Sequence, residues 1–315
     1  MRILRHYRDA PADAKGAVVA LGNFDGVHLG HRALLNEAKR VAAELKRPFA
    51  ALVFEPYPRE FFRPNDEPFR LTPFRAKARL LSELDVDILI VLNFDAAMAS
   101  MLAQDFVLDV LVKDLAVAHA VVGSDFQFGK GRGGDATVLA YMGEMEGFGT
   151  TVFAPVAAEG EIKISSSDIR AHLKAGKPEA AARLLGHWWS VEGHVAPGDK
   201  RGRAIGFPTA NLKVDHTLLP AFGIYAVRVR LHDGRVYDGA ASFGIRPTFA
   251  LSSPLMEVHL FDFDGDLYGE LITVELIAYL RAEERFDDVE ALKAQIAVDC
   301  EEARRLLASA PPEPA

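Results

Sequence analysis

The sequence predicts an α/β doubly wound domain followed by a small antiparallel β-barrel domain with a C-terminal helix. Three observations lead to this fold class. From Gly16 to about Leu185, short apolar runs alternate with helix-period segments, as in a parallel sheet covered by helices. Beyond Gly186 the chain changes to glycine-rich turns and strand-like runs, which are typical of a small barrel or sandwich. The length of 315 residues also exceeds the usual size of one domain.

The first domain is expected to span residues 1–185. Its strands are predicted from five apolar runs: Ala17 to Leu21, Phe49 to Phe54, Asp87 to Leu92, Ala118 to Gly123 and Thr150 to Pro155. Helices are predicted from Gly30 to Lys46, from Gln104 to Leu115 and from Pro178 to Leu185, because the apolar residues there recur along one stripe.

The second domain is expected to span residues 186–307, with the boundary near Gly186. Strands are predicted from Gly223 to Leu231 and from Met256 to Phe261, and a final helix from about Val289 to Leu307. The proline-rich residues 308–315 are predicted to form a disordered tail.

The composition narrows the classes of function. A formal net charge of -8 argues against a nucleic-acid or membrane surface, since either partner normally requires a basic face. The N-terminal segment has no apolar core of signal-peptide length, and no later segment approaches the length of a membrane span. Cys300 is the single cysteine, so the chain cannot form an intramolecular disulfide, and we interpret the role of this residue as structural. We therefore expect a soluble cytoplasmic protein, and the sequence leaves self-association open.

A histidine pair marks the first candidate site. The segment from Gly22 to His31 leaves a strand and enters a helix, where backbone N–H groups favour phosphate. His28 and His31 are three residues apart, near enough to face one anion, and Gly30 allows close approach of the backbone. Such a pair is often only surface or capping chemistry, but the preceding strand and the amphipathic helix favour an anion site.

Two further segments of the first domain combine polar groups with a strand end. Ile164 to Arg170 places hydroxyl groups and an arginine at another helix start, although an ordinary serine N-cap is the alternative. Gly123 to Asp135 mixes aromatic side chains, glycines and cations, and its alternative is a flexible surface loop with buried phenylalanines.

The second domain has no Walker loop, so an ATP site there must be built differently. Gly193 to Asn211 mixes glycines and cations, which also occur in plain turns. On a strand, Glu257 would share its face with Leu255, His259 and Phe261, an unusual setting for a merely solvated acid, although a salt bridge at a strand edge is the alternative.

These segments resemble those of a known family. GNFDGVHLGH resembles the HxGH motif of the nucleotidyltransferase superfamily in the version found in bacterial riboflavin kinase/FAD synthetases, and ISSSDIR resembles the ISSTxIR motif of that family. GSDFQFGKGRGGD resembles its flavin-binding segment and GRAIGFPTANL its kinase signature. The resemblance extends from roughly Gly16 to Arg304. It implies a nucleotidyltransferase-like first domain, phosphorylation of riboflavin to FMN by ATP, and adenylyl transfer from ATP to FMN that yields FAD and pyrophosphate.

The resemblance also implies roles for individual residues. The expected catalytic residues are His28, His31, Arg170 and Glu257, the last as general base. ATP or phosphate contacts are expected from Gly22, Asn23, Phe24, Asp25, Gly30, Ser166, Ser167, Gly198, Lys200, Gly202, Arg203, Gly206 and Pro208. Flavin contacts are expected from Asp125, Phe126, Phe128, Phe249, Arg281 and Phe286. Thr209 and Asn211 are expected to hold Mg²⁺ together with the nucleotide phosphates.

The sequence departs from the family pattern at several positions. Tyr57 replaces the histidine of the PHP pattern, Gln127 an arginine, Ser167 a threonine and Ser242 an asparagine, and Gly186 to Trp189 form an unusual linker. Two alternatives therefore stay open: a chain in which only one module is active, and a regulator that binds flavin or nucleotide without turnover. The retained histidines and Glu257 argue against a regulator, because binding alone needs neither a base nor a transition-state clamp.

Overall fold

The computed structural model describes residues 1–5, 7–154, 157–158, 162–197, 202, 205–214, 216–245 and 254–314. The chain forms two compact units. The first consists of Met1–Glu67 and Phe74–Ile164, and the second of Pro68–Pro73 and Ser165–Ala315. The functional boundary predicted near Gly186 concerns which segment carries which activity, and it stays a prediction.

A parallel sheet forms the centre of the first unit, with the strand order β1-β4-β3-β2-β5-β8. Its strands are β1 (Arg2–Leu4), β2 (Val18–Leu21), β3 (Phe49–Glu55), β4 (Ile88–Asn93), β5 (His119–Gly123) and β8 (Gly149–Phe153). Two short antiparallel pairs accompany it: β6 (Gln127–Phe128) with β7 (Gly134–Asp135), and β9 (Ala157–Ala158) with β10 (Ile162–Lys163). The doubly wound prediction is confirmed, because the chain winds outward in both directions from β2.

Helices cover both faces of this sheet. They are α1 (Leu29–Leu45), α2 (Pro58–Phe62), α3 (Phe74–Glu83), α4 (Ala96–Ser100), α5 (Ala103–Asp105), a π-helix (Phe106–Asp114) and α6 (Ala136–Glu146). Along β2, Val18 and Ala20 pack with α1 on one face, whereas Val19 and Leu21 pack with the π-helix on the other. A strand buried on both faces reads as a continuous apolar run, which explains why it was visible in the sequence.

The second unit is a nearly closed antiparallel barrel. Its elements are α7 (Ser166–Lys174), α8 (Pro178–Leu185), β11 (Ser190–His194), β12 (Ala210–Lys213), β13 (Gly223–Leu231), β14 (Val236–Ile245), β15 (Pro254–Leu260), β16 (Leu271–Arg281) and α9 (Val289–Ser309). The strand order is β11-β16-β13-β14-β15-β12, and a bridge between Ala196 and Asn211 brings the two edges together. The predicted barrel and C-terminal helix are confirmed, and Ala303 and Leu307 of α9 pack against its wall.

A short segment between α2 and α3, Pro68–Pro73, belongs to the second unit. The Leu71 side chain is buried in the core of the barrel. The carbonyl oxygen of Arg70 accepts hydrogen bonds from Thr217 Oγ1 at 2.9 Å and from the backbone N–H of Leu218 at 2.7 Å. These contacts fix the segment within the second unit.

The chain beyond α9 also has defined partners. Trp188 Nε1 donates to the carbonyl oxygen of Pro311 at 3.3 Å, and the Arg228 guanidinium donates to the carbonyl oxygens of Ala310 and Pro311. Disorder of residues 308–315 stays a prediction.

Burial in α9 raises the pKa of the Cys300 thiol to about 11. Across the described ranges, no helix has both the length and the apolar character needed to cross a membrane.

Candidate active sites

The loop between β2 and α1 has an unfavourable backbone conformation. Phe24 and Val27 adopt φ angles of 49° and 43°, in the left-handed region that a β-branched residue such as valine rarely occupies. Both side chains are buried, so packing holds the loop in this shape. Backbone strain of this kind is concentrated at functional sites, where surrounding contacts maintain it.

His28 and His31 lie side by side at the start of α1. Their rings stack with centroids 3.5 Å apart and an interplanar angle of 15°. His28 is the N-cap of the helix, because its Nδ1 accepts a 3.2 Å hydrogen bond from the backbone N–H of His31. A neutral imidazole that accepts at Nδ1 carries its proton on Nε2, which makes Nε2 a donor. The two imidazoles predicted to act together are therefore adjacent, at the positive end of a helix.

The glycines of this motif make room for its own side chains. A Cβ atom on Gly30 would lie 3.2 Å from the His28 ring and 3.8 Å from the carbonyl oxygen of Ile164. A Cβ atom on Gly22 would lie 3.1 Å from the Phe24 ring. Both glycines thus permit close packing within the loop, and their contact with phosphate stays a prediction.

A large cleft of about 930 Å³ lies where β2, β3, β4 and β5 end. Ligands of open α/β sheets bind at this edge, beside the strand where the winding direction reverses. The residues of this cleft that were predicted to bind ligands are Gly22, Asn23, Asp125, Phe126 and Phe128. Phe126 and Phe128 stack with centroids 5.5 Å apart and an interplanar angle of 18°. The cleft thus brings the predicted flavin segment to the predicted nucleotide loop.

Sequence reasoning missed most of the aromatic wall of this cleft, which includes Phe54, Phe62, Phe94 and Phe106. Phe54 and Phe94 meet edge to face at 5.6 Å, and Phe106 lies 5.7 Å from Phe128. A signal was present, since Phe54 is the second-last residue of β3 and Phe94 directly follows β4, at the sheet edge where ligands bind. Arg59 and Arg63, also missed, and Arg132 of the predicted flavin segment add positive charge to the cleft.

Ser166, Ser167 and Arg170 lie on α7 of the second unit. The N-cap is Ser165, whose hydroxyl oxygen accepts from the backbone N–H of Asp168 at 3.2 Å. Ser166 and Ser167 therefore occupy the first turn, where helix N–H groups lack intrahelical partners. Arg170 Nε donates to the carbonyl oxygen of Phe69 at 2.8 Å, and its guanidinium lies 5.3 Å from the Phe69 ring centroid. The segment Pro68–Pro73 thus orients this arginine.

The predicted general base of the barrel lies in a row with two polar side chains. Asn211 of β12 and Ser242 of β14 both pair with Glu257 of β15. Residues directly opposite each other on adjacent strands point to the same face of the sheet. Along β15, Glu257 and His259 are half-buried while Val258 between them is fully buried, which confirms that Glu257 faces away from the core.

The glycines before this row shape a compact turn. The carbonyl oxygen of Gly202 accepts from the N–H groups of Ile205 and Phe207, and Gly206 has a φ angle of 92°. His259 Nδ1 donates to the carbonyl oxygen of Pro208 at 2.8 Å. Pro208 and Thr209 line a pocket of about 320 Å³ together with residues 263–268. The predicted contacts at Gly198, Lys200, Arg203 and Phe249 lie outside the described residues.

A second carboxylate, Glu283, lies near Glu257 and was not predicted. A Cβ atom on Gly244 would come within 2.6 Å of Glu283 Cδ, so a side chain at this position would displace the Glu283 carboxylate. Burial and the negative charge of Glu257 raise the pKa of the Glu283 carboxyl. The two acids therefore share one electrostatic environment.

Arg281 and Phe286, predicted to contact flavin, lie where β16 leads into α9. The Arg281 guanidinium donates to both carboxylate oxygens of Asp299 on α9, at 2.9 and 2.8 Å, and lies 5.8 Å from the Phe286 ring. This paired geometry joins the end of the barrel to its last helix. The role of both residues toward flavin stays a prediction.

The oxygen donors of Thr209 and Asn211 suit magnesium, which prefers oxygen ligands and shares phosphate oxygens. The Asn211 side chain is only 7% exposed and lies at the seam of the barrel. In the described part of the chain, no cluster of three or more His, Cys, Asp or Glu side chains is arranged to hold a metal ion. A metal at this seam would therefore depend on neutral oxygens and on the phosphates of the nucleotide.

Comparisons with known proteins identify a family domain in each half of the chain. A family model of FAD synthetase matches residues 10–168, and one of riboflavin kinase matches residues 185–307. A bifunctional riboflavin kinase/FMN adenylyltransferase of Escherichia coli (strain K12) is 41% identical over 95% of this chain and 96% of its own length. A protein of the same description from Pseudomonas fluorescens is 40% identical over 98% of both chains. A solved structure from Streptococcus pneumoniae, described as a macrolide-efflux protein, is 32% identical with a TM-score of 0.85, covering 96% of this chain and 98% of that one.

Proposed function

This chain belongs to the bifunctional riboflavin kinase/FMN adenylyltransferase family, and we propose which of its residues carry each of the two reactions. The enzyme phosphorylates riboflavin to FMN and then adenylylates FMN to FAD, with ATP as the co-substrate of both steps. Adenylyl transfer is assigned to the β2–α1 loop and phosphoryl transfer to the row around Glu257.

The stacked pair of His28 and His31 carries the assignment of adenylyl transfer. A phosphate oxygen of FMN attacks the α-phosphorus of ATP, and the bond from that phosphorus to pyrophosphate breaks. The nucleophile is already ionised, so the reaction needs positioning and charge neutralisation more than a base. His28 Nε2–H, the His31 imidazole and the N-terminus of α1 stabilise the negative charge on the transferring group. Contacts of Ser166, Ser167 and Arg170 with phosphate stay a prediction from the sequence.

The aromatic cleft of the first unit is assigned to the isoalloxazine ring of FMN. A volume of about 930 Å³ is within the usual range of ligand sites. Phe126 and Phe128 present aromatic faces to a planar ligand, while Arg59, Arg63 and Arg132 favour an anionic one. An aromatic, partly cationic cleft beside a phosphate-binding loop matches a flavin that carries a phosphate.

Glu257 is assigned as the general base of the kinase reaction. The terminal hydroxyl oxygen of riboflavin bonds to the γ-phosphorus of ATP, ADP leaves, and the hydroxyl proton passes to the carboxylate. The row of Asn211, Glu257 and Ser242 supports this role, because it presents an acid and two hydrogen-bonding groups on one face of the barrel.

Mg²⁺ is proposed as the metal of the kinase site, held by Thr209 and Asn211. When bound, it neutralises charge on the phosphates of ATP. The two side chains have separate roles. The side-chain oxygen of Asn211 would hold the metal at the seam of the barrel, and Glu257, which lies opposite Asn211 on the adjacent strand, takes up the proton.

One time course tests the function and its alternatives. Purified protein is incubated with riboflavin, ATP and Mg²⁺, and riboflavin, FMN and FAD are resolved by chromatography. We expect FMN first and FAD afterwards, with both lost after addition of a chelator. Accumulation of FMN alone would identify a chain with one active module, and flavin binding without product would identify a regulator.

A further inference from the structure

Tyr57 has no role in the assignments above, yet the first unit holds it at three points. Its backbone N–H donates to Glu60 Oε2 at 3.2 Å, and its hydroxyl donates to the carbonyl oxygen of Asn23 at 3.2 Å. The ammonium group of Lys77 lies 4.2 Å from the centroid of its ring. With only 4% of the residue exposed, the ring cannot change rotamer without losing the hydroxyl contact with Asn23 and the ring contact with Lys77.

The cation against the Tyr57 ring is unusual. Lys77 is wholly buried, at 0% exposure, and a lysine is almost never buried unless it is paired. Its Nζ lies 3.5 Å from Glu55 Oε1, on the strand that ends just before Tyr57. The carboxylate and the aromatic face stabilise the buried ammonium together. The ring is therefore fixed on one side by a charge that cannot move into water.

On its other side, Tyr57 reaches the beginning of the nucleotide loop. Asn23 directly precedes Phe24, the first residue of that loop with a left-handed backbone. Asn23 also lines the aromatic cleft. A strained loop keeps its shape only where its surroundings hold it, and the hydroxyl of Tyr57 holds the main chain where the strain begins.

We propose that Tyr57 is a positioning residue for adenylyl transfer, whose hydroxyl fixes the main chain at Asn23 and thereby the loop that leads to His28. The inference rests on the proposed role of this loop. The family pattern has a histidine at position 57, whereas this chain has a longer tyrosine whose ring contacts a buried ion pair. Through the hydrogen bond from Tyr57 to Asn23, the packed interior restrains the main chain at the edge of the sheet where the reaction takes place.

The test replaces Tyr57 by phenylalanine, which keeps the ring against Lys77 and removes only the hydroxyl. We expect the kcat of FAD formation from supplied FMN to fall roughly 10-fold, because a small displacement of reacting groups is costly. KM for FMN and FMN formation from riboflavin should stay unchanged, and the midpoint of thermal unfolding should fall by only about 2–4 °C, as expected for the loss of one part-buried hydrogen bond. Tyr141→Phe is the matched control, since it removes a phenol hydroxyl that is exposed on α6, where the residue is 66% accessible, and it should change nothing.

Hydrogen–deuterium exchange supplies a measurement that does not depend on turnover. Peptides that cover residues 22–31 should exchange faster in Tyr57→Phe than in the wild type or in Tyr141→Phe. A wild-type kcat in Tyr57→Phe, or a loss of kcat that disappears after correction for the folded fraction, would overturn the proposal. Unchanged exchange would overturn it as well. A wild-type protein that makes no FAD would instead contradict the proposed function, while the exchange measurement would still decide whether Tyr57 holds the loop.

Discussion

The indole Nε1 of Trp189 donates a 2.9 Å hydrogen bond to the carbonyl oxygen of Leu71, although 118 positions separate the two residues. Both are buried in the core of the second unit. The first strand of the barrel, β11, begins one residue after Trp189, so this bond connects the entry to the barrel with the segment Pro68–Pro73.

Replacing Trp189 by phenylalanine should destabilise the second unit. The hydrogen bond from the indole to the Leu71 carbonyl would be lost inside the core, at a cost of about 0.5–1.5 kcal/mol. The urea midpoint for loss of FMN-forming activity should fall accordingly. Trp188→Phe is the matched control and should have a smaller effect, because the Pro311 carbonyl also accepts from Arg228 at 3.1 Å. Equal effects of the two changes would contradict the importance of the Leu71 contact.

Fragments of the chain should separate the two activities. A fragment that starts at Ser190 should form FMN but no FAD, because the nucleotide loop and the aromatic cleft are missing. A fragment that starts at Ser165 should behave likewise but unfold at higher urea, since it retains Ile169, Leu173 and Leu185 of the barrel core. FMN formation found only in a fragment of residues 1–164 would reverse the assignment of the kinase.

Replacing His28 or His31 by alanine should lower FAD formation by about 10² or more and leave FMN formation near normal. His28→Ala also removes a helix cap, which alone costs about 1 kcal/mol. His28→Asn separates these effects, because asparagine is a good N-cap but has no equivalent of the Nε2–H donor. We expect His28→Asn to restore stability without restoring FAD formation. Recovery of both would reduce His28 to a capping residue.

Glu257→Gln keeps the shape of the side chain and removes the base. The turnover number of the kinase should fall by roughly 10² to 10⁴, with little change in the affinity for riboflavin or ATP. FAD formation from supplied FMN should continue. Glu275→Gln on β16 is the control for loss of a carboxylate in the same barrel and should be near wild type. Normal turnover with weakened flavin binding in Glu257→Gln would assign Glu257 to flavin positioning.

Local patterns made most of the fold predictable. Strands such as β2 are apolar on both faces, and α1 carries Leu34, Leu35 and Ala38 on one stripe, so both elements were visible in the sequence. The segment Pro68–Pro73 was missed because six residues show no period and their partners lie far along the chain.

The site was predictable only where its residues are close in sequence. His28 and His31 were identified together because one helix turn joins them. The row of Asn211, Ser242 and Glu257 depends on which strands are neighbours, and that information is absent from a single sequence. The pairing of Arg281 with Asp299 was also not predictable, because the two residues belong to different elements that the sequence describes separately.

The second unit is built from two separate stretches of the chain, and this affects how it forms during synthesis on the ribosome. Leu71 belongs to a core whose strands β11 and β13 both pair with β16, which ends at Arg281. The ribosome must therefore add 210 more residues (281 − 71) before that core is complete. At typical synthesis rates of 5–20 residues per second this takes roughly 10 to 40 s. During that interval Leu71 has no complete core to pack into, even after all the strands of the first unit have been synthesised.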